Sequence, residues 1–164
     1  MHPLPTRTLV LLLAGLVPAL LGACRAPAPT APPAGAGRAV GMDLRVDEAW
    51  SRAALAGFNG ALYLSLENRS PIADRLTGVI FDAATRTEIH RSRREGDMVR
   101  MELQADGVAL PAGERLVFEP GGYHVMLLDL KRDLVAGETL DATLEFEEAG
   151  RVPIRVAVRG LDAP

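Results

Sequence analysis

From Leu44 onward the chain alternates apolar and polar positions with a period of two. Nowhere does it hold the 3.6-residue period of a helix for a helix's length. The alternation is cleanest over 139–146, where Leu140, Ala142, Leu144 and Phe146 share one face. It is nearly as clean over 152–158, with Val152, Ile154, Val156 and Val158 set against Pro153, Arg155 and Ala157. Residues 61–68 place Leu62, Leu64 and Leu66 opposite Tyr63 and Ser65, and 44–50 turn Leu44, Val46 and Trp50 inward. Further strands are predicted over 75–81, 85–91, 98–103, 116–119 and 123–128. Turn chemistry separates them: Phe58-Asn59-Gly60, Asn68-Arg69-Ser70-Pro71, Glu95-Gly96-Asp97, Asp106-Gly107, Leu110-Pro111-Ala112-Gly113 and Ala149-Gly150. Pro153 cannot donate to a ladder and suggests an edge position for the last strand. About nine short strands and no helix predict an all-β sandwich or barrel.

Before this domain the pattern breaks down. Residues 1–23 hold Arg7 and an apolar run over 9–21 that is short for a membrane span of about 20 residues. The run ends in Leu21-Gly22-Ala23-Cys24, which resembles a bacterial lipobox. The expectation is a lipoprotein signal peptide over 1–23, with Cys24 acylated; the alternative is a plain secretory signal. Either exports the chain, to the periplasm as a membrane-anchored lipoprotein or otherwise to the cell surface. Residues 24–41 are mostly Ala, Pro and Gly, which cannot bury a core and read as a tether. Residues 42–164 are one domain by length.

Cys24 is the only cysteine. With it acylated the domain has no disulfide, no thiol nucleophile and no cysteine ligand for a blue-copper centre. The formal charge is −3, and loss of 1–23 removes Arg7 and no acid, leaving about −4. That argues against nucleic acid as a partner, which calls for a basic face.

The chemistry that remains is soft. His124 and Met126 leave one strand on the same side, because they are two residues apart. His90 and Met101 lie upstream, with ten residues between them and twenty-two between Met101 and His124. Alone, a strand Met is usually core filler and a buried His a hydrogen-bonded core residue. Together they matter more, since the domain's two histidines both belong to the set. Imidazoles and thioethers select Cu(I), whereas zinc prefers thiolate and carboxylate as well. Four neutral donors release no proton on binding, which suits carrying copper rather than keeping it. On 98–103, parity groups Met101 with Val99 and Leu103 on the apolar side and leaves Met98 with Arg100 and Glu102. Met98 is therefore the reserve ligand. Gly121-Gly122 before the strand allows close approach.

These residues resemble the PCuAC family of periplasmic copper chaperones, associated with assembly of the CuA centre of cytochrome c oxidase. The similar text is Glu88-Ile89-His90, Met98-Val99-Arg100-Met101, Leu110-Pro111-Ala112-Gly113, Pro120-Gly121-Gly122-Tyr123-His124-Val125-Met126 and Leu130-Lys131. Trp50-Ser51-Arg52 and Asn59-Gly60-Ala61-Leu62-Tyr63 look like the family's opening strands. The resemblance implies a cupredoxin-like, Greek-key β-sandwich. It implies one Cu(I) per domain, held by His90, Met101, His124 and Met126. It also implies delivery to an oxidase copper subunit or a copper assembly factor. The family pattern has one residue fewer between Met101 and His124, and the loop 106–113 can absorb the extra one. The chain ends without the Met/His-rich tail of some members, so no second copper is expected.

Arg91, Arg93 and Arg94 form a basic cluster beside His90, read either as a docking patch for an acidic partner face or as a solvated strand end. Ser51 and Ser65 lack a nucleophile-elbow context, and no paired carboxylates stand out, so a non-enzyme is expected, monomeric and touching membrane only through its lipid anchor. Two other functions share the sequence: copper buffering without a dedicated acceptor, and a structural β-sandwich lipoprotein with buried His and Met.

Overall fold

The computed structural model describes residues 43–162. The expected signal segment, Cys24 and the tether lie outside the described residues. Ten strands follow one another: β1 (Leu44–Arg52), β2 (Gly60–Asn68), β3 (Asp74–Ile80), β4 (Ala84–Glu95), β5 (Met98–Leu103), β6 (Val108–Leu110), β7 (Arg115–Phe118), β8 (Tyr123–Leu130), β9 (Thr139–Phe146) and β10 (Arg151–Arg159). Nine correspond to the strands predicted from the alternation. β6 is the addition, three residues lying between two turn signals that read as one long turn. Its turn requires a glycine: Gly107 has φ +73°, and a Cβ there would sit 2.3 Å from the Leu76 carbonyl oxygen.

All ten strands join one hydrogen-bonded sheet in the order β5-β4-β8-β7-β2-β1-β10-β9-β3-β6, with β8 also pairing β2. The sheet folds over on itself around one core. Leu62, Leu64 and Leu66 of β2, Ile89 of β4 and Val125 and Leu127 of β8 share that core with Leu144 of β9 and Val156 of β10. Leu62, Val125, Leu127, Leu144 and Val156 are fully buried. Burying each such side chain is worth roughly 1.5–3 kcal/mol.

Two sequence expectations change. Trp50 does not turn inward with Leu44 and Val46. The β1–β2 register shifts between Asp47 and Trp50, where Glu48 takes φ +53°. This bulge moves Trp50 opposite Tyr63, on the outer face. Tyr63 and Ser65, on that same outer face, are buried. The Trp50 ring packs on Tyr63 at 4.6 Å between centroids, Arg159 covers Trp50 at 4.6 Å, and Arg115 donates to Ser65 Oγ at 2.7 Å. Finally, β10 is not an edge strand. It pairs β9 along its length, but β1 only through Ala157, Val158 and Arg159. Pro153 lies in the part with a single neighbour, which satisfies its missing N–H.

Candidate metal centre

The site lies on the outer face of β5, β4 and β8. Register decides this. His90 stands directly opposite His124 on one side and Leu103 on the other. Ser92 faces Met101, and Glu88 faces Met126. Alternation then gathers Met101, Leu103, Glu88, His90, His124 and Met126 on one face. The other face carries Ile89, Val125 and Leu127 into the core.

The two imidazoles meet edge to face, with centroids 5.9 Å apart. Each is held by one nitrogen. Nε2–H of His90 donates to Glu88 Oε2 at 2.9 Å, and Glu88 is steadied by Arg86 at 3.2 Å. That leaves Nδ1 with the lone pair, buried and without a hydrogen-bond partner. Nδ1–H of His124 donates to the Gly122 carbonyl at 3.1 Å, leaving Nε2 as the basic nitrogen. A carboxylate or carbonyl fixing one ring nitrogen while the other stays basic is the arrangement of metal-binding histidines. An orphaned buried polar atom asks for an explanation, and a bound cation supplies one.

Gly122 earns its place through its carbonyl rather than through close approach. Gly121 has φ +83°, and Gly122 N–H closes a turn onto the Glu119 carbonyl at 3.0 Å. Pro120-Gly121 at the centre suits a type II turn. The turn aims the Gly122 carbonyl at both the Ser92 N–H, 2.9 Å away, and His124.

His124 is 5% exposed. Burial pushes its pKa below the ordinary value; the Gly122 bond raises it, and His90 lowers it further. The lowered value favours the neutral imidazole, the form that can bind a metal. Among the described residues no group of three or more His, Cys, Asp or Glu side chains gathers where it could hold a metal. The candidate donors on this face are two imidazoles and thioethers, a set that suits a soft ion.

The methionines differ in placement. Met126 follows His124 on the same strand and lines a pocket of about 300 Å³ with Arg52, Asn59, Ala61, Tyr63 and Leu161. Met101 lies on the other flank, diagonal to His90. Two strands and four residues separate Met101 from Met126 in register, roughly 16 Å between Cα atoms in a regular ladder. His90, His124 and Met126 form the compact group, while Met101 sits on the exposed terminal strand. Met98 faces the opposite side of β5 and is exposed. The arginine cluster divides likewise. Arg94 shares the histidine face, whereas Arg91 stacks on Tyr123 at 4.8 Å and Arg93 meets Glu102 at 3.7 Å on the other. Sequence reading missed Glu88 as the partner of His90; its signal was a carboxylate two residues away on a strand.

A folded-over ten-stranded sheet with two imidazoles paired on its outer face defines a cupredoxin-like β-domain. The family described as "Putative lipoprotein LpqE-like" matches residues 44–158. The chain belongs to this LpqE-like, PCuAC-type family. It is 30% identical over 116 residues to "Putative lipoprotein Lxx21020" of Leifsonia xyli, covering 71% of this chain and 69% of that one. It is similar to a copper-bound PCuAC domain from PmoF2, at 32% identity and TM-score 0.60, over 71% of this chain and 92% of that one. It is also similar to DR1885 of Deinococcus radiodurans, solved in its Cu(I) form, at 27% identity and TM-score 0.57, over 77% of this chain and 83% of that one.

Proposed function

We propose that this is an exported, lipid-anchored carrier of one Cu(I) ion, which it delivers to the copper subunit of a cytochrome c oxidase or to a copper assembly factor. Copper is its cargo. His90 through Nδ1, His124 through Nε2 and Met126 form the compact part of the ligand set. Met101 is the fourth donor, brought in when the exposed β4–β5 hairpin folds over the imidazole pair. The observation that carries the reading is the facing pair of imidazoles, each tied at one nitrogen and basic at the other. Copper-bound PCuAC relatives support it, and the lipoprotein naming of a relative supports anchoring through Cys24.

Ligand exchange explains how such a site releases its ion. Thioethers are weak, neutral ligands, so an incoming thiolate or imidazole from an acceptor can displace them one at a time. The pocket beside Met126 offers the opening. Anaerobic Cu(I) titration against a competing chelator tests the binding. One equivalent should bind, and His90→Ala with His124→Ala should abolish it. Absence of stoichiometric binding would leave a structural β-sandwich lipoprotein. Transfer from the loaded domain to a purified oxidase copper subunit tests delivery; retention of the ion there would leave copper buffering instead.

A further inference from the structure

Among the described residues, strand β5 ends the sheet and bonds only to β4. On its outer face Val99, Met101 and Leu103 stand 63%, 52% and 54% exposed. The opposite end, β6, is three residues long with Val108 and Leu110 buried. A six-residue edge, apolar on one face and with outward backbone groups that no described strand pairs, is a pairing surface, and proteins normally blunt such edges. We propose that β5 pairs antiparallel with β5 of a second copy of this chain, about a twofold axis at Met101. This dimer belongs to the metal-free chain, where the monomer was expected from the sequence.

Backbone polarity limits the register first. Gln104 N–H donates to the Ile89 carbonyl at 2.8 Å. These two residues are therefore a hydrogen-bonded pair, and Glu102 and Arg100, alternating from Gln104, also turn their N–H and C=O toward β4. Leu103, Met101 and Val99 aim theirs outward. A symmetric antiparallel pair must bond these outward groups to one another. Counting Gln104 with the strand, three registers that overlap most of it allow this, centred on Arg100, Met101 or Glu102.

Charge then selects among the three. Centring on Arg100 sets that arginine against its own copy, and centring on Glu102 does the same to the glutamate. Like charges directly opposite are destabilising. Centring on Met101 sets Arg100 against Glu102 of the second copy, twice, and Val99 against Leu103. Arg100 has reason to take this partner. Across β4 it faces Arg93, and its own acid, Glu95, is 3.8 Å away and exposed. Glu102 meets Arg93 at 3.7 Å, also exposed, and the Arg91 opposite it is turned onto the Tyr123 ring. Exposed pairs of this length are weak and easily exchanged.

The test is sedimentation equilibrium on the metal-free chain carrying Cys24→Ser, so that no thiol or acyl group links copies. The average mass should rise with concentration toward twice the chain mass. Arg100→Glu and Glu102→Arg should each raise the dissociation constant about tenfold, because each turns two attractive pairs repulsive. An equimolar mixture of the two variants should dimerise at least as tightly as the parent, since both cross-copy pairs are then of opposite sign. A monomeric mass at every concentration overturns the proposal, and so does a mixture no tighter than either variant alone. Cysteine cross-linking fixes the register. Met101→Cys should oxidise to a linked dimer faster than Arg100→Cys or Glu102→Cys, and the opposite order overturns the Met101 axis.

Discussion

Along β8, neighbouring residues meet opposite fates. Val125 and Leu127 are fully buried and close the core, whereas His124 and Met126 look outward onto Glu88, His90 and a pocket. One strand thus serves as the wall of the fold and as the floor of the site. Changes on the inner face act on stability through lost packing. Changes on the outer face act on the site, because few core contacts depend on them.

Predictions follow from that contrast, and the largest effect belongs to the inner face. Leu127→Ala should lower unfolding stability by about 2–5 kcal/mol in denaturant titration. A loss well under 1 kcal/mol would mean that the core closes without this strand. On the outer face, Glu88→Gln keeps the shape beside His90 but weakens its hold on Nε2–H. Cu(I) affinity should fall about tenfold or more, with the denaturation midpoint nearly unmoved. An unchanged affinity would reduce Glu88 to a surface residue. Met126→Leu conserves volume, so it should cost under about 1.5 kcal/mol of stability while measurably weakening Cu(I) binding in the chelator competition. Equal affinity would remove Met126 from the ligand set.

The smallest effect is a pH dependence of the metal-free domain. The pKa of folded His124 is lowered by burial from its ordinary value of 6.5. The unfolded chain therefore takes up this proton first as pH falls. Stability should be level above neutrality, decline as pH drops through 6.5, and flatten below the lowered folded value. His124→Gln should remove that decline from thermal melts taken across the range. A decline of the same size in the variant would place its origin in another group.

Nine strands and most of the core were legible because strand periodicity is local. Leu62, Leu64, Leu144 and Val156 announce their face through spacing alone. β6 was not legible, since three residues between turns carry too little pattern. Trp50 misled because a single extra residue in β1 reverses the parity of everything after it. The candidate site divides in the same way. His-x-Met on one strand is visible from spacing, and the parity grouping of Met101 with Val99 and Leu103 agrees with the ladder. That this apolar side faces away from the core was not visible, because only the register with β4 sets Leu103 opposite His90 and Met101 opposite Ser92.

The chain on its own determined which side chains leave a strand together, and which soft donors it has to offer. Backbone geometry sets both within a few residues. Tertiary structure decided that His90 stands opposite His124, that Glu88 and the Gly122 carbonyl each claim one ring nitrogen, and that Met101 lies on an open edge. Those are matters of register between strands distant along the chain. Register is settled by the packing of the whole core, which no short stretch of sequence carries.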